Sequence, residues 1–203
     1  MNFTELDLPS EVQQGIEHAG FLSCTPVQEA VIPRAVLGED IAAQAQTGTG
    51  KTAAFLISLF TRMITNPAAV ADLGDSPQAL IISPTRELAD QIFHEAERLG
   101  KFTGFRLLAV FGGIDYQKQM DTLHKGVDVL IGTPGRLIDY YKQHVYSLKK
   151  TRYLVIDEAD RMFDMGFIDD LRYLIKKLPP YSKRQSMLFS ATLSYRVMEL
   201  AYE

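Results

Sequence analysis

Ala45-Gln46-Thr47-Gly48-Thr49-Gly50-Lys51-Thr52 is a glycine-rich turn that runs straight into the apolar stretch Ala53, Ala54, Phe55, Leu56. Such a loop turns consecutive backbone N–H groups inward, and the helix that follows adds the positive end of its dipole. A lysine and a hydroxyl complete a phosphate cradle, with Lys51 reaching the terminal phosphates and Thr52 placed to ligate Mg²⁺. The generic pattern opens with glycine where this chain has Ala45, and Gly-Lys-Thr is also an ordinary way to start a helix. The cradle reading is favoured because a strand, residues 40–45, hands over to a helix at this point.

Outward from this stretch, the chain alternates strand and helix. Residues 79–83, 107–111, 127–131, 153–156 and 187–189 are short apolar runs suited to buried strands. Between them, apolar residues recur at helical spacing, as in Leu88, Ala89, Ile92, Phe93, Ala96 and Leu99, with Thr85 as N-cap and Gly100 as stop. Alternation of this kind implies right-handed crossovers and an α/β fold whose parallel sheet is covered by helices on both faces. Chemistry then collects at the carboxyl ends of the strands. Before the first strand, residues 3–33 form a helical preface: Ser10 is placed to cap a helix carrying Val12, Ile16 and Ala19, Gly20 stops it, and Thr25-Pro26 starts a second helix. Asn66-Pro67 and the loop with Asp72, Gly74, Asp75, Ser76 and Pro77 read as a surface connection.

The 203 residues, 46% hydrophobic and 23% charged, suit one globular domain. No apolar run approaches the roughly 20 residues that span a bilayer, and the first residues lack the blocks of a secretion signal, so a soluble cytoplasmic chain without membrane contact is expected. Cys24 is the single cysteine and reads as a small buried apolar residue. The four histidines are scattered, which disfavours a transition-metal site. A net charge of −4 argues against a broad basic surface, so any nucleic-acid contact must be local.

Two carboxylates, Asp157 and Glu158, end an apolar strand downstream of the phosphate loop. Asp157 is placed to hold Mg²⁺, largely through its water, and Glu158 to orient or deprotonate an attacking water. Acids there can also simply decorate a helix N-terminus.

Asp157-Glu158-Ala159-Asp160 spells the signature of the DEAD-box ATP-dependent RNA helicases, and the chain resembles that family from end to end. Gly20 to Gln28 resembles the Q motif, residues 45–52 motif I, residues 84–89 motif Ia, Gly112-Gly113 the double-glycine motif, residues 133–136 motif Ib and residues 190–192 motif III. The resemblance implies a RecA-like P-loop domain in which ATP is bound by Phe21, Thr25, Gln28, Ala45, Gln46, Thr47, Gly48, Thr49, Gly50, Lys51 and Thr52. Gln28 would pair with the adenine edge. Phe3 lies at the upstream aromatic position and either stacks on the base or covers the core. Lys51, Asp157 and Glu158 would be catalytic. Asp160 would bond towards Ser190 and Thr192, coupling nucleotide state to the RNA side; those hydroxyls also suit helix capping. RNA would be held through its sugar-phosphate backbone by Thr85, Arg86, Gly112, Gly113, Thr133, Gly135 and Arg136. Taken singly, Arg86 and Arg136 read equally as surface charges or structural ion pairs.

Complete family members carry a second RecA-like domain that supplies arginine fingers. This chain stops at Glu203 just after motif III, so the resemblance implies an N-terminal half. Residues 1–34 would be the Q-motif preface and residues 35–203 the RecA-like domain, binding nucleotide but nearly inactive in hydrolysis by itself. Residues 126–140 and 188–203 resemble the branch of bacterial helicases associated with an RNA-degrading complex. Two rivals remain, a DNA translocase of the same superfamily and a non-catalytic module that clamps RNA in a nucleotide-dependent way.

Overall fold

The computed structural model describes residues 1–68, 73–113 and 115–201; the expected loop residue Asp72 lies outside the described residues. Six strands form one parallel sheet: β1 (Ile41–Gln44), β2 (Ala79–Ile82), β3 (Leu107–Val110), β4 (Val129–Gly132), β5 (Tyr153–Ile156) and β6 (Gln185–Ser190). The spatial order is β1-β6-β5-β2-β4-β3. Each predicted strand is present, displaced at its ends by up to about two residues, as expected where strands fray into turns.

The helices are α1 (Ser10–His18), α2 (Pro26–Ala35), α3 (Lys51–Thr65), α4 (Arg86–Leu99), α5 (Tyr116–His124), α6 (Pro134–Lys142), α7 (Ala159–Asp164), α8 (Ile168–Ile175) and α9 (Tyr195–Ala201). They cover both faces, and the two-residue period of the strands divides the core accordingly. Ala79, Ile81, Val129, Ile131 and Val155 join the cluster under α1 to α4, while Leu80, Ile82, Leu130, Leu154 and Ile156 join the cluster under α6 to α9. The inner strands β2, β4 and β5 are buried at every residue, which is why they read as unbroken apolar runs rather than alternating ones. Among the described residues no helix is long and apolar enough to cross a membrane.

Thr25, Thr85, Gly20 and Gly100 bound their helices as the sequence predicts, and Ser10 does not. The Thr25 and Thr85 side chains accept from the N–H groups of Gln28 and Leu88, and Gly20 ends α1 at φ +76°, with Phe21 N–H donating to Ile16 O at 3.1 Å. Ser10 is not the cap expected of it. The chain is still extended at Pro9 (φ −55°, ψ 148°), so Ser10 is already the first helical residue and its hydroxyl bonds Glu11. Cys24 is only partly buried at the edge of the core, not enclosed in it.

Candidate nucleotide and RNA site

Each strand of the sheet delivers one motif at its carboxyl end, and the ladder continues one residue past several of them. Ala45 N–H donates to Ser190 O (2.9 Å), Ser83 to Gly132 O (3.0 Å), Asp157 to Ile82 O (3.0 Å) and Thr133 to Val110 O (3.3 Å). The residues that open these loops are therefore held by the sheet's own hydrogen bonds. Sheet order sorts them into two groups: residues 45–52, 157–160 and 190–192 follow β1, β5 and β6, while residues 83–86, 112–113 and 133–136 follow β2, β3 and β4.

In the first group the loop after β1 turns through Gly48 and Gly50, both left-handed at φ +84° and +86°, and α3 starts at Lys51. Lys51 is 3% exposed and its Nζ lies 2.7 Å from Asp157 Oδ1 and 3.5 Å from Glu158 Oε1. Asp157 is fully buried, which pushes its carboxyl above the ordinary range while the Lys51 ammonium pulls it back. Its Oδ1 also accepts the Glu158 N–H at 2.9 Å, whereas Oδ2 is buried with no hydrogen-bond partner. A buried, unpartnered carboxylate oxygen beside a phosphate loop and a half-buried Thr52 suits water-mediated hold of Mg²⁺, an ion commonly bound by few protein ligands. Among the described residues no cluster of three or more His, Cys, Asp or Glu could form an all-protein metal cage.

Glu158 stands at φ +52°, ψ +51°, a backbone state that costs a non-glycine residue energy and that recurs at functional sites. Thr47 Oγ1 donates to its Oε1 at 3.1 Å and Arg161 Nη1 to its Oε2 at 3.2 Å. Arg161 was not legible as a site residue, although its i+3 spacing from Glu158 was the available signal. Asp160 meets Ser190 and Thr192: its own N–H donates to Ser190 Oγ at 3.1 Å, and its Oδ2 accepts from Thr192 N (3.1 Å) and Thr192 Oγ1 (3.3 Å). Burial pushes the Asp160 carboxyl up, but hydrogen bonds from Ser190, Arg161 and Thr192 outweigh it and leave the group below its usual range.

Gln28 is 4% exposed, not the solvated residue its position near a helix start first suggests. Its Oε1 accepts the Thr25 N–H at 2.9 Å and its Nε2 donates to Gly50 O at 3.0 Å, so it ties the α2 cap to the phosphate loop. Phe21, Thr25 and Gln28 line, with Gly50, Lys51 and Thr52, a cavity of about 470 Å³. Phe3 is 4% exposed with its ring 6.2 Å from that of Phe21, the core-covering alternative of its two readings.

In the second group Arg86 lies 5.4 Å from the Phe111 ring centroid, and a Cβ at Gly113 would come within 2.4 Å of its Nη1. Arg136 stacks over Tyr116 (4.9 Å) and Tyr140 (5.5 Å), with its Nη2 4.0 Å from where a Gly112 Cβ would stand. The two guanidinium groups thus flank the exposed Gly112-Gly113 backbone, with Thr85, Thr133 and Gly135 at the adjacent helix starts. Donors so arranged suit a phosphate backbone rather than base edges. Neither arginine has a carboxylate within ion-pair distance among the described residues, and the structural ion-pair reading of each falls away.

A sequence profile of the DEAD/DEAH box helicases matches residues 25–200. Proteins named ATP-dependent RNA helicase RhlB are 52% identical to the chain, over 204 residues in Xanthomonas campestris pv. campestris (strain B100) and over 201 residues in Vibrio cholerae serotype O1 (strain M66-2). The alignments take in 100% and 99% of this chain but 36% and 46% of those proteins, so the chain spans less than half the length of these curated relatives.

Proposed function

The chain belongs to the DEAD/DEAH box helicase family, and from that premise we propose that it is the nucleotide-binding half of an ATP-dependent RNA helicase that separates short RNA duplexes locally. The observation that carries this is the buried Lys51–Asp157 pair (2.7 Å) at the mouth of a glycine loop, beside a strained and tethered Glu158.

Lys51 exchanges Asp157 for the terminal phosphates of ATP, and the loop N–H groups and the α3 N-terminus hold the remaining charge. Thr52 and Asp157 would hold Mg²⁺, which when bound would supply charge neutralisation at the phosphates. Glu158, freed from Lys51, positions the attacking water. Gln28 spends one N–H and one lone pair on Gly50 O and Thr25 N–H, which leaves one of each for the adenine edge, where N6 donates and N7 accepts. Asp160 binds Ser190 and Thr192 on the nucleotide side while its own strand β5 borders β2 of the RNA half, where contacts to sugar and phosphate give little sequence preference.

We place residues 1–34 as the Q-motif preface and residues 35–203 as one RecA-like domain of a longer cytoplasmic protein. That protein closes a second RecA-like domain over ATP and RNA, and we extend the proposal to membership of an RNA-degradation complex on the resemblance of residues 126–140 and 188–203 to that branch. Arginine fingers from the second domain are worth orders of magnitude in phosphoryl transfer, so these 203 residues should bind ATP and ADP with negligible turnover. Calorimetric titration of the chain with ADP and with GDP tests the reading. Binding of ADP alone, with discrimination lost in Gln28→Ala, is the expected result. Equal binding of both removes the adenine assignment, absence of binding removes the phosphate loop, and RNA-stimulated turnover by the chain alone removes the need for a second domain.

A further inference from the structure

Arg136 is held by more than its own helix. Its Nη1 donates to the Tyr140 hydroxyl at 3.3 Å, one turn along α6, and its guanidinium lies over both the Tyr140 and Tyr116 rings, whose centroids are 4.8 Å apart. The Tyr140 ring is fully buried, and its hydroxyl proton has two acceptors within reach, Tyr116 O (2.9 Å) and Gln119 Oε1 (3.4 Å). Gln119, 4% exposed, in turn donates from Nε2 to the carbonyl of Phe111 at 3.3 Å, the residue before Gly112. The Tyr116 hydroxyl accepts from the Gln143 Nε2 of the α6 C-cap.

We infer that Tyr140, Tyr116 and Gln119 are positioning residues for RNA: a buried polar chain running from Phe111 O through Gln119 and the Tyr140 hydroxyl to Arg136, with the Tyr116 ring as its platform. It sets the Arg136 guanidinium in register with the Gly112-Gly113 backbone so that both meet the same phosphates. This inference rests on the RNA reading of Arg136 and adds what aims it. An arginine side chain left free loses rotamer entropy on binding, and a guanidinium pre-oriented by a planar stack and one hydrogen bond loses less. The arrangement also ties together the loops that follow the neighbouring strands β3 and β4.

Tyr140→Phe tests this, because it keeps the ring and its packing and removes only the hydroxyl. Affinity for single-stranded RNA is measured against salt concentration for the wild-type chain, Tyr140→Phe, Arg136→Ala and the double variant, with the urea midpoint of each as a fold control. The expected result is a roughly three- to tenfold loss in Tyr140→Phe. Its salt slope should fall towards that of Arg136→Ala, a change of about 0.7 for one phosphate contact on a single strand. The double variant should bind no worse than Arg136→Ala alone. Wild-type affinity in Tyr140→Phe, an unchanged salt slope, or full additivity with Arg136→Ala would overturn the positioning role. No effect of Arg136→Ala itself would instead overturn the RNA assignment of Arg136, and the inference with it.

Discussion

At the scale of single residues, the site is governed by charges taken out of water. Asp157 tolerates complete burial because Lys51 is buried with it at 2.7 Å, and removing one partner of such a pair leaves an uncompensated charge. Lys51→Ala should therefore destabilise the chain by about 3–5 kcal/mol, and Asp157→Asn added to it should recover much of that in urea unfolding. A loss no larger than that of an exposed lysine would show that the pair contributes nothing. Asp160 works with the opposite sign. Its folded pKa is depressed, so its stabilisation is present above the unfolded pKa of about 3.9 and is lost as pH falls through the folded value. The stability difference between wild type and Asp160→Asn should accordingly be largest near neutral pH and shrink in acid below pH 4. A difference independent of pH would mean that the Asp160 bonds to Ser190 and Thr192 do not favour the ionised form.

At the scale of elements, the helical preface is locked on by a contact that no periodicity shows. Gly15 lies in the middle of α1, and a Cβ there would stand 1.9 Å from the carbonyl oxygen of Leu99, the last residue of α4. Arg98 completes the junction by donating from Nη2 to Ala19 O at 2.9 Å. Alanine raises helix propensity by up to about 1 kcal/mol over glycine. Against a fixed backbone carbonyl, however, overpacking costs about 1–3 kcal/mol and should win. Gly15→Ala is thus expected to lower the thermal midpoint, and a raised midpoint would show that α1 shifts freely on α4. The pattern Val12, Ile16, Ala19 revealed the apolar face of α1, but a glycine inside a helical pattern reads only as a weak position until its neighbour is known.

At the scale of the whole molecule, one parallel sheet carries both half-sites along its carboxyl edge, and its strand order keeps them apart. Strand β5, with Asp157 to Asp160 beyond it, sits between β6 and β2, next to both halves. Asp160 reaches across to Ser190 and Thr192 beyond β6, the contact through which the proposed coupling of nucleotide and RNA would run. Coupling of this kind is reciprocal in free energy. In the full-length protein, Thr192→Val should leave nucleotide and RNA affinities measured separately near wild type and reduce the factor by which each raises the other. Undiminished coupling in that variant would remove Asp160–Thr192 from the route.

The sequence by itself determined the class of fold, the number of strands in the sheet and the residue types at the phosphate loop, because these depend on local periods and on glycine, threonine and lysine within eight consecutive positions. It also named Asp157, Glu158 and Asp160, whose run at a strand end is local too. The tertiary structure alone decided that β6 lies between β1 and β5, and hence that Thr47 meets Glu158 across 111 positions of chain. It alone set Gln28 into the core against Gly50, turned Phe3 inward onto Phe21, and aligned Gln119 with Tyr140 beneath Arg136. Those pairings join segments distant in sequence, and they are selected only when both faces of the sheet are packed at once, a condition no local pattern encodes.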